Sequence, residues 1–370
     1  MSTHFPKKQE DKSYRQWTFR TLLLTVSAFL ITAAVTVYRD PFFHYHAPLP
    51  QYNYPQKVYP DSNERYCNDG ISRHFSYESI ITGTSMSENF KASEADEIFD
   101  SEFIKVPYAG ATYKEISDNL RRAYQADKEI RYIIWGLDYN TLISHKDACN
   151  EDFPYPYHLY NDNPFDDIRY VLNKSVLLGE TLQVTRAENG VGSAVDFDTY
   201  GSWSVYHGEE FGAWHVLTTY GLKETPEKPQ PLTGEQSRIL LDNLRQNVSA
   251  LAAEHPETTF YLFIPPYSVC YWDILNNEGT MDQHIEAEQL AIEELLQFSN
   301  IKLYSFSDNF ELTCDLDNYK DYMHYGEWVN SQILKWMEKE EYLLTRDNYM
   351  DYLERIRKFY HSYDYASLHE

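Results

Sequence analysis

The chain has 370 residues, enough for one large domain or two small ones with a real core. Its 33 tyrosines and 16% aromatic content argue against disorder. The formal net charge of -25 repels nucleic acid and anionic lipid, so neither is expected as a partner.

The charge is uneven. The first 38 residues carry five basic side chains (Lys7, Lys8, Lys12, Arg15, Arg20) against Glu10 and Asp11, which gives +3 and leaves -28 for the rest. Thr21 to Tyr38 is an uncharged apolar run of eighteen residues, long enough to cross a hydrocarbon core. The basic residues before it predict a cytoplasmic N-terminus. No clean small-x-small site ends the run, so an uncleaved anchor is expected over a cleaved signal peptide. Either way, residues beyond about 40 lie outside the membrane. The expected organisation is a tail at 1–20, a transmembrane anchor at 21–38 and an extended Pro-, Tyr- and His-rich arm at 39–76. An α/β domain follows at 77–345, with an insertion at 150–230 that covers one end of the sheet, and then a C-terminal helix within 346–370.

Short apolar runs predict strands at 79–83, 103–106, 132–136, 259–264 and 301–304. Helical patterns lie between them. Tyr113 to Tyr124 is one. Thr233-x-x-Gln236 is a capping-box signal that opens another, with Leu240, Leu244, Val248 and Leu251 on one face. Met281 to Phe298 is a third, and Val329, Ile333, Trp336 and Met337 mark a fourth. This alternation predicts a three-layer α/β/α fold with a mainly parallel sheet and a site beyond the carboxyl ends of the strands. Cys67, Cys149, Cys270 and Cys314 allow three disulfide pairings. Cys67–Cys149 with Cys270–Cys314 is expected, free thiols being the alternative. No zinc spacing occurs, His44-x-His46 lacks companions, and neither metal nor organic cofactor is implied.

Two segments could carry chemistry. Gly83-Thr84-Ser85-Met86 follows the first strand, where a strand-to-helix turn would expose a serine hydroxyl beside the N–H groups of a following helix. Asp321-Tyr322-Met323-His324 follows the last predicted strand, and an Asp and a His three apart can supply a base and the carboxylate that orients it. In a doubly wound sheet both segments reach the same rim. His207 and His215 are alternative bases without an Asp at fixed spacing.

IITGTSMSENF and NYKDYMHYG resemble the blocks of the SGNH/GDSL hydrolase superfamily, and in particular membrane-anchored SGNH-like cell-envelope proteins of Gram-positive bacteria. The resemblance spans residues 78–340, with motifs over some thirty of them. It implies Ser85 as nucleophile, His324 as base and Asp321 as its partner. It also implies an oxyanion hole from the N–H groups of Ser85 and Gly110, with Asn140 in reach. The third block departs from the family pattern: Gly136-Leu137-Asp138-Tyr139-Asn140 puts an acid where an amide is usual, and an ionised Asp138 would repel an oxyanion unless protonated or otherwise engaged. Tyr113, Asp138 and Trp203 are expected to contact substrate. The aromatic loop from Phe197 to Trp203 can stack on sugar rings, although such loops more often serve simple packing. The implied function is an extracytoplasmic serine esterase or O-acyltransferase acting on cell-wall polysaccharide or teichoic acid. Two alternatives are a non-catalytic glycan-binding or assembly protein and a subunit that serves a membrane acyltransferase.

Overall fold

Runs of β-branched and aromatic residues, each too short for a helix, build the sheet. The computed structural model describes residues 7–47, 64–181, 196–204, 208–220 and 227–369. Five strands are parallel: β1 (Ser79–Gly83), β2 (Phe103–Pro107), β3 (Tyr132–Gly136), β4 (Thr259–Ile264) and β5 (Ile301–Ser305). A short β6 (Leu343–Leu344) pairs antiparallel with β5, an edge strand that the sequence pattern did not predict. The order is β2-β1-β3-β4-β5-β6. The parallel strands are buried along almost their whole length, as a sheet covered on both faces requires. From β1 the chain moves outward to β2 and then back across to β3, so the carboxyl ends of β1 and β3 flank the switch in direction where α/β sheets open a crevice.

Helices α2 (Glu64–His74) and α4 (Tyr113–Gln125) pack together, and α3 (Ala92–Phe99) lies on β2. The helix at α4 starts with a complete Thr112/Glu115 capping box, which satisfies two orphan N–H groups. After the short turns α5 (Tyr139–Leu142), α6 (Ile168–Val171) and α7 (Ala213–Thr219), the Thr233/Gln236 capping box opens α8 (Gly234–Leu244). That helix runs through a π-helical turn (Arg245–Ser249) to Glu254, and Leu240, Leu244, Val248 and Leu251 are all fully buried. Helices α9 (Val269–Asn277), α10 (Met281–Leu295), α11 (Glu327–Glu338) and α12 (Tyr349–Ser362) complete the layers.

The N-terminal α1 (Lys7–Arg39) is a single helix, long and apolar enough to cross a membrane. Leu24 and Leu30 are 71% and 66% exposed, which is the opposite of a core helix.

Residues 39–76 are not an extended arm throughout. Part of the segment, 48–63, lies outside the described residues, but α2 is a helix with a largely buried, polar face. The Arg65 guanidinium pairs with Glu115 at 2.8 Å, and Asp69 takes Arg122 at 2.9 Å. These partners come from α4, so the helix is stabilised by distant charges that its own apolar pattern does not announce. The expected disulfides are absent: all four cysteines are free thiols. Cys67 faces Tyr200, whereas Cys149 faces Tyr157, so the first expected pair looks in different directions.

Candidate active site

Thr82 and Gly83 end β1 inside the sheet, and the chain must turn at once. Gly83 takes φ +138°, and a Cβ there would lie 2.2 Å from Ser87 Oγ, so only glycine allows the turn to fold back so closely. Ser85 stands at the head of this turn, half-exposed.

The expected helix directly behind Ser85 is not formed. Residues 85–89 make successive turns, and α3 starts only at Ala92. Lys105 of β2 holds this path: its buried ammonium donates to the carbonyls of Glu88 (2.6 Å), Phe90 (2.7 Å) and Asp198 (3.0 Å). Two of those acceptors are thereby turned toward the lysine. Burial lowers the Lys105 pKa to about 7, opposed by nearby acids such as Glu88 and Asp198.

Asp321 and His324 occupy a tight loop closed by an antiparallel bridge between Tyr319 and Tyr325. Its neck is fixed by two buried tyrosines. Tyr319 Oη donates to Pro266 O (2.7 Å), just after β4, and Tyr325 Oη donates to Met86 O (3.3 Å), just after β1. Ser268 Oγ holds the tip through Tyr322 O at 2.8 Å. The loop is thereby carried over the carboxyl ends of β1 and β4.

Three side chains meet there. Ser85 Oγ lies 2.8 Å from His324 Nε2. His324 Nδ1 lies 2.8 Å from Asp321 Oδ2. Asp321 Oδ1 accepts the backbone N–H groups of Met323 and His324, both at 2.8 Å. Burial alone would raise the Asp321 carboxyl. The hydrogen bond and charge of His324 and the two backbone donors outweigh it and hold the carboxyl below its ordinary value. An ionised carboxylate at Nδ1 places the ring proton there and leaves Nε2 as acceptor toward the hydroxyl.

Thr84, Asp138 and Tyr267 form a second layer that sequence reasoning did not assemble. Asp138, after β3, is buried and accepts hydroxyls on both oxygens, Thr84 Oγ1 on Oδ2 and Tyr267 Oη on Oδ1. Burial raises its pKa, and those two hydrogen bonds and the charge of His324 pull the other way. Asp138 is therefore engaged in holding the residue next to Ser85 and is not a substrate contact. Tyr113 is likewise corrected: it is fully buried, and its hydroxyl donates to Asp138 O at 3.0 Å. A signal for this layer was present only in part, in the acid at the position where an amide was expected.

Gly110 lies in the turn after β2 at φ +57°, and its carbonyl accepts from Asn150 Nδ2 at 2.5 Å. Asn140 is exposed on the rim, and its amide faces Met323 Sδ at 3.7 Å. Trp203 is nearly buried, donates its indole N–H to Ser85 O at 3.0 Å and stands edge-on to the His324 ring at 5.8 Å. Lys320 Nζ sits 3.9 Å over its face. From Trp203 an aromatic run continues through Phe211 (6.3 Å) to Trp328 (4.9 Å from Phe211), which is 46% exposed. Trp328 lines a groove of about 580 Å³ with Lys91, Glu311, Glu327, Lys335 and Trp336. His215 lies 3.8 Å from Glu210, and the ring that meets Ser85 is that of His324; His207 lies outside the described residues. His44 serves the fold, 3.3 Å from Asp167 and 3.8 Å from Asp69. Among the described residues no cluster of three or more metal-ligating side chains occurs.

The fold and site together define an α/β protein with a hydrogen-bonded Ser–His–Asp set at the carboxyl rim of a mainly parallel sheet. No family model and no curated protein matches the chain. Among solved structures, a protein from Streptococcus pneumonia described as a candidate platelet activating factor is similar at a TM-score of 0.39 and 11% identity, over 76% of this chain and 92% of that one. That degree of likeness assigns neither family nor activity.

Proposed function

We propose that this chain is a membrane-anchored, extracytoplasmic serine esterase or O-acyltransferase of the SGNH kind, with Ser85, His324 and Asp321 as its triad. The observation that carries the reading is the unbroken path from Ser85 Oγ through His324 to Asp321, 2.8 Å at each step. His324 Nε2 takes the Ser85 proton as Oγ attacks an ester carbonyl, and Asp321 stabilises the imidazolium. The N–H groups of Ser85 and Gly110 receive the oxyanion. His324 then returns the proton to the leaving alcohol, and an acyl group remains on Ser85. Water or a sugar hydroxyl, deprotonated by the same ring, attacks this ester and frees the serine.

The substrate class we favour is a cell-envelope glycan or teichoic acid. Exposed Trp328, at the outer end of the aromatic run from Trp203, suits stacking against a sugar ring. In the adjoining groove Lys91 and Lys335 balance Glu311 and Glu327, and this balance favours a neutral glycan over a polyphosphate chain. A membrane acyltransferase partner fits the same location.

A second reading has one observation behind it. Asn140 faces Met323, and Asp138 is already engaged, so neither adds an oxyanion donor. A non-catalytic glycan-binding or assembly module would tolerate that arrangement. Hydrolysis of p-nitrophenyl acetate by the purified full chain separates the two. The enzyme reading expects turnover that Ser85→Ala and His324→Ala abolish. The binding reading expects no turnover above buffer, with oligosaccharide binding that survives Ser85→Ala.

A further inference from the structure

The depth of α1 fixes the height of everything that touches it. Its uncharged run ends at Tyr38, and Thr36, fully buried, donates from Oγ1 to Val171 O of α6 at 3.2 Å. At 1.5 Å per residue, that contact lies about 3 Å inside the outer end of the apolar run. The π-helical turn Val176–Glu180 also touches α1. A membrane that surrounds α1 must therefore meet this part of the domain.

The segment cannot swing away from the helix. Tyr170 Oη donates to Asp40 Oδ1 at 2.8 Å and accepts the Phe42 N–H at 3.2 Å. Tyr45 Oη donates to Asp167 Oδ2 at 3.1 Å. Asp40 in turn accepts three backbone N–H groups, from His44, Tyr45 and His46, so the junction after the span is a fixed turn. Three of the outward side chains of the same segment are large and apolar: Phe165 is 87% exposed, Ile168 58% and Leu178 55%. Exposed Arg169 and Lys174 lie in the same segment, and their charges suit the phosphates of lipid headgroups.

We propose that residues 165–178 form an interfacial foot, with Phe165, Ile168 and Leu178 inserted into the headgroup–acyl boundary of the leaflet from which α1 emerges. The inference rests on α1 spanning the membrane and goes beyond it: the domain stands on the bilayer and does not tumble on a tether. The foot is braced to the site through α2. Asp167 lies 3.3 Å from His44, and His44 lies 3.8 Å from Asp69 of α2. On the same helix Asn68 accepts from Tyr200 Oη at 2.8 Å and donates from Nδ2 to Pro107 O at 2.6 Å, and the Tyr200 loop carries Trp203 against Ser85. The serine is thus held at one height above the bilayer, suited to an acyl group or acceptor carried close to it.

The test uses the full chain in phosphatidylcholine nanodiscs, with Cys149 and Cys314 changed to Ser. Nitroxide labels are placed singly at Phe165→Cys, Ile168→Cys and Leu178→Cys, with Leu30→Cys as the mid-span reference and Lys358→Cys as the aqueous reference. Power saturation compares access to oxygen and to a water-soluble nickel chelate. The foot predicts an oxygen-to-nickel ratio at all three positions several-fold above that at 358 and below that at 30. If position 30 is in lipid and the three positions match 358, the foot is wrong and the span stands. If position 30 itself is aqueous, the span reading fails and the foot with it.

Discussion

Replacing Asp321 by Asn should disable the site while leaving its shape intact, and the geometry says why. Two backbone N–H groups, from Met323 and His324, donate to Oδ1 at 2.8 Å each. In the substituted side chain only the amide oxygen can accept them, so the oxygen must take the Oδ1 position. The amide NH2 then replaces Oδ2, 2.8 Å from His324 Nδ1. A donor at that place opposes a proton on Nδ1; the oxygen at the Oδ1 position is farther from Nδ1, at 3.1 Å, and already takes two N–H groups, so the ring proton moves to Nε2, which now donates to Ser85 Oγ. The serine loses its base. A tautomer reversal of this kind costs about 10⁴-fold in rate, or about 5.4 kcal/mol of barrier. Acylation by p-nitrophenyl acetate at neutral pH, followed as release of nitrophenolate, reads the loss directly. The thermal unfolding midpoint should barely change, because every backbone contact is kept. An Asp321→Asn protein that unfolds like the wild type and reacts within tenfold of it would refute the assignment of Asp321 as the group that sets the His324 tautomer.

Other positions give independent tests. Lys105→Met removes the donor shared by the carbonyls of Glu88, Phe90 and Asp198. A destabilisation of roughly 3 kcal/mol or more is expected in urea unfolding, from the cost of buried, unpaired carbonyls, and the acylation rate should fall as the Ser85 turn loosens. Gly83→Ala would place a Cβ 2.2 Å from Ser87 Oγ at φ +138°, so acylation should fall at least tenfold with the fold largely kept, read by kinetics beside circular dichroism. His284 is fully buried, and burial lowers its pKa to about 3. The unfolded chain takes up this proton first, so the His284 contribution to stability is full above pH 6.5 and falls as pH drops toward 3, whereas buried Glu288, 3.9 Å away and raised by burial to about 7, contributes in the opposite sense. The slope is at most about 1.4 kcal/mol per pH unit. His284→Leu should flatten that acid limb when unfolding is measured against pH, and an unchanged slope would show that the ring is not held neutral.

The parallel strands were legible because each is a short apolar run that the chain must cover on both faces, and α8 was legible because Thr233 and Gln236 announce its start. Ser85 and the Asp321–His324 pair could be named from sequence because each follows a strand in a fold whose rim gathers such positions. What was hidden depends on partners far away in the chain. Helix α2 buries Arg65 and Asp69, and only Glu115 and Arg122 of α4 explain how. Lys105 sits in the middle of β2, and nothing local shows which acceptors will take its buried charge, yet it holds the turn beneath Ser85. Asp138 looked like a missing oxyanion donor and is instead a buried acceptor for Thr84 and Tyr267. Local pattern carries the elements, whereas long-range polar pairs decide which residues face the site.

The most direct test of the account is chemical. The purified full chain is treated with a fluorophosphonate, and the modified peptide is sequenced by mass spectrometry. One phosphonyl group on Ser85, formed more slowly in Asp321→Asn and absent from Ser85→Ala, is the predicted result. An unmodified Ser85 under conditions that label other serine hydrolases, or an adduct that persists in Ser85→Ala, would contradict it.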